Sequence, residues 1–183
     1  LDISIDAGNS GIAGISEFDG NSGGDALAVD GVGYTFPLGD KTTVFVGDNF
    51  DGSTLYSTAC VYGGPSNTLD DCGNVNSAFV GGGTAAGASF DIGNGFTGAI
   101  GYAGAGSTTA GLLTKEGDDA YGGQISYAAD SYGVSVTYAN VEASGSDTTS
   151  WALNGYGTAS ESGSMPSLSV GYEMDGPELS GSK

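Results

Sequence analysis

One stretch constrains this chain more than any other. It is Thr84–Gly104, TAAGASFDIGNGFTGAIGYAG, in which side chains alternate on both sides of a single tight turn. Asn94-Gly95 supplies the turn, because a two-residue hairpin connection needs positive φ and Asn-Gly tolerates it best. Before the turn, Ala86, Ala88, Phe90 and Ile92 share one face, and Ala85, Gly87, Ser89 and Asp91 the other. After it, Phe96, Gly98, Ile100 and Tyr102 alternate with Thr97, Ala99, Gly101 and Ala103. One face is apolar and aromatic; the other is small, hydroxylated or acidic. A two-residue period of this kind is the mark of a strand that has two different environments.

The same unit recurs along the chain. Leu1–Gly8 alternates Leu1, Ile3 and Ile5 with Asp2, Ser4 and Asp6. Further strands are expected at Ala26–Phe36, Lys41–Gly47, Tyr121–Ala129, Tyr132–Asn140, Thr149–Thr158 and Pro166–Met174. Their connections alternate in length. Short ones fall at Pro37–Asp40, Asn94-Gly95 and Asp130-Ser131. Longer ones fall at Asn9–Gly24, Asp48–Gly83, Ala105–Ala120 and Val141–Thr148, the last read as a polar loop. Transmembrane barrels are built this way, with short turns on one side of the membrane and long loops on the other. The connection Ala159–Met165 should be short on this scheme and is of middling length.

A water-soluble sandwich alternates too, but its wet face usually carries long charged side chains. Here the non-apolar face is built of Ser, Thr, Gly, Ala and Asp, which suits the inside of a curved barrel. Tyr-rich strand ends suit aromatic girdles at a lipid interface. The expected fold class is therefore all-β: an antiparallel transmembrane β-barrel, of which residues 1–183 form one partial domain of about 8–9 strands. No apolar run reaches the roughly 20 residues that a membrane helix needs, which excludes helical spans only. Leu1 begins inside a strand pattern with no signal peptide before it, so the chain reads as a fragment of a larger barrel.

Composition removes several function classes. The chain has 22 acidic residues, three Lys, no Arg and no His, for a net charge of −19. Nothing here could neutralise phosphates, so nucleic acid is not a partner. A basic patch for anionic headgroups is missing for the same reason. Disorder, the other reading of such charge, is opposed by ten Tyr, seven Phe and the clear alternation.

The motifs that could carry chemistry fail one by one. Gly20-Asn21-Ser22-Gly23-Gly24 has the form of a nucleophile elbow, but a chain without His has no partner base for Ser22. Gly81-Gly82-Gly83 precedes a strand rather than opening a helix, so it is no dinucleotide fingerprint. The carboxylates Asp70-Asp71, Glu116 and Asp118-Asp119 lie in segments read as solvated loops. Asp19, Asn21 and Asp25, and likewise Asp48 and Asp51, are oxygen-rich, yet neither group fits the twelve-residue calcium loop. The chain is read as a non-enzyme with no cofactor and no metal. Cys60 and Cys72 share the long segment 48–83. A local disulfide between them would imply an oxidising compartment, the other reading being two free thiols.

What remains is the acidic face. Asp2, Asp6, Asp30, Asp91, Asp130 and Glu173 fall on the non-apolar parity of their strands or at strand ends, and are the candidate pore-lining residues. Carboxylates around a lumen favour cations and repel anions. For Asp91 and Asp130, both beside turns, a role in the turn is the competing reading.

At this point the chain resembles a known family. Tyr34-Thr35-Phe36-Pro37-Leu38-Gly39-Asp40, then Thr43-Val44-Phe45-Val46-Gly47, is similar to the Y-x-F-P-[LVI]-G-D … V-x-V-G hairpin of cyanobacterial outer-membrane porins. These carry an N-terminal S-layer-homology segment and an OprB-like barrel, and are often labelled iron-uptake or carbohydrate porins. Gly87–Gly104 resembles their G-x-x-x-x-F-x-x-G-N-G-F-T hairpin. Trp151–Gly157 with Pro166-Ser167-Leu168-Ser169-Val170-Gly171-Tyr172 resembles their P-S-[IL]-S-x-G-[YW] strand. The resemblance spans about Ala26 to Met174. It implies a passive diffusion channel in the lipid of an outer membrane, assembled as a homotrimer, for inorganic ions and small solutes. Relatives selective for anions or sugars are expected to place Arg or Lys in the pore. A chain without Arg fits cation or weakly selective passage better. The alternative from another class is a secreted or cell-surface acidic β protein acting in adhesion or calcium-dependent assembly.

Overall fold

In a computed structural model the chain is described at residues 1–6, 27–57, 77, 83–104, 119–143, 146–159 and 166–177. The described residues form nine strands and no helix. The strands are β1 (Asp2–Asp6), β2 (Ala28–Pro37), β3 (Thr42–Asp48), β4 (Thr84–Gly93), β5 (Phe96–Gly104), β6 (Asp119–Ala128), β7 (Tyr132–Ala143), β8 (Ser146–Gly157) and β9 (Leu168–Pro177). They make one sheet in chain order, with every neighbouring pair antiparallel. The all-β antiparallel expectation therefore holds.

The sheet is open, with β1 and β9 as its edges. An odd number of alternating strands leaves the two edges running in the same direction. They could not join antiparallel without further strands between them.

The Asn94-Gly95 turn forms as the sequence predicts. Gly93, Asn94 and Gly95 all have positive φ, at 94°, 54° and 84°. The Gly93 N–H donates to the Asp91 carboxylate at 2.8 Å, and the ladder slips by one residue between Asp91 and Gly93. At the β2–β3 turn Gly39 has φ 74°, and the Leu38 N–H reaches the Thr42 carbonyl at 2.8 Å.

One expectation is overturned. Of Val141–Thr148, read as a loop, residues 141–143 and 146–148 are strand: β7 and β8 stay paired through Val141↔Thr148 and Glu142↔Asp147 to Ala143↔Ser146. Polarity suggested a loop, but Val and Thr are good strand formers whether or not their face is apolar. The alternation of long and short connections therefore breaks at this point.

The two faces of the sheet are opposites. Ile100 is 58% exposed beside Ala99 at 5%, Ile125 61% beside Gln124 at 5%, and Leu153 58% beside Asn154 at 2%. Phe90, Ile92, Phe96, Val134, Val136, Trp151, Val170, Tyr172 and Met174 extend the exposed apolar face across β4–β9. Of the residues expected on that face in the β4–β5 hairpin, Phe90, Ile92, Phe96 and Ile100 are exposed and Tyr102 is half-buried.

Aromatic rings bound this face at both ends. Near the short turns Tyr34 stacks on Phe36 with ring centroids 5.5 Å apart, Phe96 meets Tyr127 at 4.8 Å, and Tyr127 meets Tyr132 at 5.9 Å. Toward the other end lie the cross-strand pair Tyr102↔Tyr121 and the contact Tyr138–Trp151 at 4.8 Å. Phe96 and Tyr102, Tyr127 and Tyr121, and Tyr132 and Tyr138 are each six positions apart (102 − 96 = 127 − 121 = 138 − 132 = 6). At about 3.4 Å per residue the two belts are roughly 20 Å apart measured along the strands.

The inward face is small and polar. Its buried cluster is Phe45, Ala85, Ala103, Ala120 and Ala139, joined by the buried polar residues Gln124, Ser126, Ser135, Thr137, Ser150 and Asn154. Phe45 fits among small residues because its ring lies over the cross-strand pair Gly33↔Gly47. A Cβ on either glycine would come within 2.9 Å of that ring.

Candidate functional site

The inward face is covered from within by the start of the β3–β4 connection, and this arrangement is the candidate site. Asn49 leaves β3 with φ 57°, and its N–H donates to the Gly83 carbonyl at 2.7 Å, closing the two ends of the connection on each other. Phe50 then turns inward against Phe45, with ring centroids 5.4 Å apart. A turn follows, in which the Thr54 and Tyr56 N–H groups donate to the carbonyls of Asp51 and Ser53. Leu55 and Tyr56 pack on the buried alanine cluster. Burial pushes the Tyr56 hydroxyl above its ordinary pKa.

Glycines make the seat. Gly87 and Gly101 face each other across β4 and β5. A Cβ on Gly101 would collide with the Gly52 carbonyl, and one on Gly87 would lie 3.4 Å from that oxygen. The connection's backbone thus rests on the wall where two strands lack side chains.

Hydrogen bonds then fasten it. The Ser57 N–H donates to Gln124 Oε1 at 2.7 Å, and the Ser126 hydroxyl meets that of Ser57 at 2.9 Å. Gln124 is itself held, donating from Nε2 to Thr137 Oγ1 at 3.0 Å. At the far end of the connection, Ser77 donates from N–H and hydroxyl to one carboxylate oxygen of Glu173, at 3.1 and 2.7 Å.

The six candidate pore-lining residues are not gathered at one level. Asp2 is exposed on edge strand β1, opposite Gly33 and so on the inward parity. Asp6 pairs with Ala28 at the far end of β1; its side chain lies outside the described residues. Asp30 sits where the β1–β2 register slips, and its carboxylate and carbonyl both accept from Asn49 Nδ2 at 2.8 Å. Asp91 has inward parity but lies two residues from the end of β4, where it accepts from the Gly93 N–H beside the turn. Asp130 is exposed in the β6–β7 turn. Of the five whose side chains are described, only Glu173 is half-buried; the other four are exposed. Inward positions of β5–β8 carry no charged residue. The Cys60–Cys72 pairing lies outside the described residues, as do Asp19, Asn21 and Asp25. Among the described residues no group of three or more His, Cys, Asp or Glu is placed to hold a metal.

The sequence pattern places Asp119 in a solvated loop. Instead it opens β6, is 5% exposed, and accepts a 2.7 Å hydrogen bond from the Tyr102 hydroxyl. A buried carboxylate needs donors, and Tyr102 supplies one from the neighbouring strand. The sequence pattern gives no inward course for the β3–β4 connection either. The signals for it were the aromatic Phe45 on an otherwise small face and Gln124 as the one long polar side chain on inward β6.

In comparisons with protein families, with curated proteins and with solved structures, nothing matches this chain.

Proposed function

We propose that this chain is part of the wall of a transmembrane β-barrel channel in an outer membrane, admitting inorganic ions and small hydrophilic solutes by passive diffusion. The observation that carries this reading is the inversion of the two faces. Soluble sheets bury large apolar side chains and expose polar ones. Here Ile100, Ile125 and Leu153 are exposed, while Gln124, Thr137 and Asn154 are buried. An exposed apolar face of this extent calls for an apolar environment. Aromatic rings at both ends of that face are in keeping with the girdles that flank the apolar band of membrane barrels.

The resemblance to cyanobacterial outer-membrane porins supports the same reading, and with it a homotrimer. In this reading the open edges are where further strands complete the barrel. With no charge on inward β5–β8, selectivity is weak. What cation preference there is comes from the acidic rims and from the lack of Arg.

The test is reconstitution of the full-length protein. It should require detergent, conduct in a planar bilayer, and give a reversal potential favouring K⁺ over Cl⁻ in a KCl gradient. A monodisperse, detergent-free and non-conducting protein would overturn the channel reading. A preference for anions would overturn the acidic-rim argument alone.

A further inference from the structure

We propose that Tyr156 is a stacking platform for organic cations of the alkylated-ammonium class, set on the inner wall at the short-turn end. The inference deepens the channel reading above and rests on it. Acidic rims attract any cation; an aromatic face adds a preference among them.

Three observations carry it. Tyr156 follows Asn154 by two positions on β8, so it shares the inward parity, and it stands opposite Gly133 of β7. A Cβ on Gly133 would lie within 2.8 Å of Tyr156 Cε1, Cζ and the hydroxyl oxygen together. Nearness to all three atoms puts that point above one face of the ring. The ring therefore leans across the wall and covers the glycine, as aromatic side chains do for exposed sheet backbone. Its opposite face is left toward the lumen. Tyr156 is half-buried, and among the described residues its side chain makes no ring contact or hydrogen bond. The inward residues around it are uncharged: Asn154 on its own strand, Gly133 on β7 and Ser169 on β9. Finally, the charge at this end is acidic. Asp130 is exposed in the turn that leads into β7, and Asp91 has inward parity beside the β4–β5 turn. In the β2–β3 turn Asp40 and Lys41 offset each other. Carboxylates at a mouth raise the local concentration of cations, and the ring quadrupole attracts a cation laid on its face. An alkylated ammonium holds water weakly and can lie on the ring, whereas K⁺ keeps its hydration shell. An uncharged solute gains nothing from the carboxylates.

The experiment uses the full-length protein, in detergent and in a planar bilayer, with choline as the probe. Two readouts are used: saturation-transfer NMR from the protein to the choline methyl protons, and the fall in K⁺ current when choline is added. The controls are glucose and the uncharged isostere of choline in which carbon replaces nitrogen. The wild type should bind choline in preference to both. Tyr156→Phe keeps the ring and should behave as the wild type does. Tyr156→Leu should weaken choline binding and block about two- to fivefold, the range that an exposed cation–π contact supplies. Circular dichroism checks that the sheet is intact; if Y156L does not fold, Tyr156→Ser carries the same expectation. Unchanged choline binding in an intact Y156L would overturn the proposal outright. Equal binding of the uncharged isostere would overturn it in favour of a plain apolar contact. Glucose binding that falls as steeply in Y156L would overturn it in favour of a sugar platform. If the protein does not conduct but saturation transfer to choline depends on Tyr156, the channel reading fails and the platform stands.

Discussion

The two faces of strands β5–β8 are read from the same residues, one position apart, yet they obey opposite rules. Outward, the large apolar side chains are exposed: Phe96, Ile100, Ile125, Val136 and Leu153; the buried exceptions there, Asp119 and Asn140, sit toward the long-loop end. Inward, they are small or uncharged polar, and buried: Ala99, Gln124, Ser135, Thr137 and Asn154. The difference teaches where the folding free energy can come from. The inward face has little apolar area to bury beyond Phe45 and a few alanines, so burial at about 25 cal/mol per Å² contributes modestly there. The ladder hydrogen bonds and the docked connection carry more of the burden inside. Outside, burial becomes available only when lipid or another apolar medium covers the strands.

The largest test of this contrast places a charge on the outward face. Ile125→Arg should destabilise the protein in a bilayer by about 2–4 kcal/mol, the range for a basic residue near the membrane midplane of a barrel. The readout is reversible urea unfolding from lipid vesicles. In a soluble sheet the same exposed position would change stability by only about 0.5 kcal/mol or less. A near-neutral result in lipid would therefore break the assignment of that face.

A smaller effect is expected one strand away and on the other side. Gly101→Val would place a side chain where the Gly52 carbonyl rests. Overfilling a packed contact costs about 1–3 kcal/mol, and here the connection is the part able to yield. Limited proteolysis should cut the connection faster in the variant, while the sheet's circular dichroism is unchanged. Equal proteolysis rates would show that Gly52 does not depend on the Gly101 seat.

Much of this was legible from the residues alone, and the limits are instructive. Strict alternation located the β4–β5 hairpin, and Asn94-Gly95 fixed its turn, because both signals are local. The tips of β7 and β8 were lost because Glu142 and Asp147 are polar and polarity stood in for looseness. The pairing that decided the matter joins residues only three to seven positions apart, from Ala143↔Ser146 to Val141↔Thr148, and does not depend on side-chain polarity. Of the candidate pore residues, Glu173 was legible as inward from its parity. Its partner Ser77 was not, since the two lie far apart in sequence and no pattern links them. The seat made by Gly87 and Gly101 needed the register: each glycine alone looked like one more small residue in a Gly-rich chain.

The smallest expected effect concerns pH and the docked connection. Burial raises the Tyr56 hydroxyl above its ordinary pKa of 10.0 because a phenolate would be poorly solvated against the alanine cluster. Below that ordinary value the phenol is neutral whether the connection is docked or released, so the docked state keeps its full stability. Above it, the released Tyr56 ionises while the docked one stays neutral, and docking weakens as pH rises. Tyr56→Phe cannot ionise and should lose that dependence. Comparing proteolysis of the connection in the two proteins at neutral pH and above pH about 10 checks this directly. The wild type should become selectively more sensitive at high pH. Identical pH profiles for wild type and Y56F would mean that Tyr56 does not sit against the inward face in solution, and would weaken the contrast between an uncharged, covered inner wall and an exposed apolar outer one.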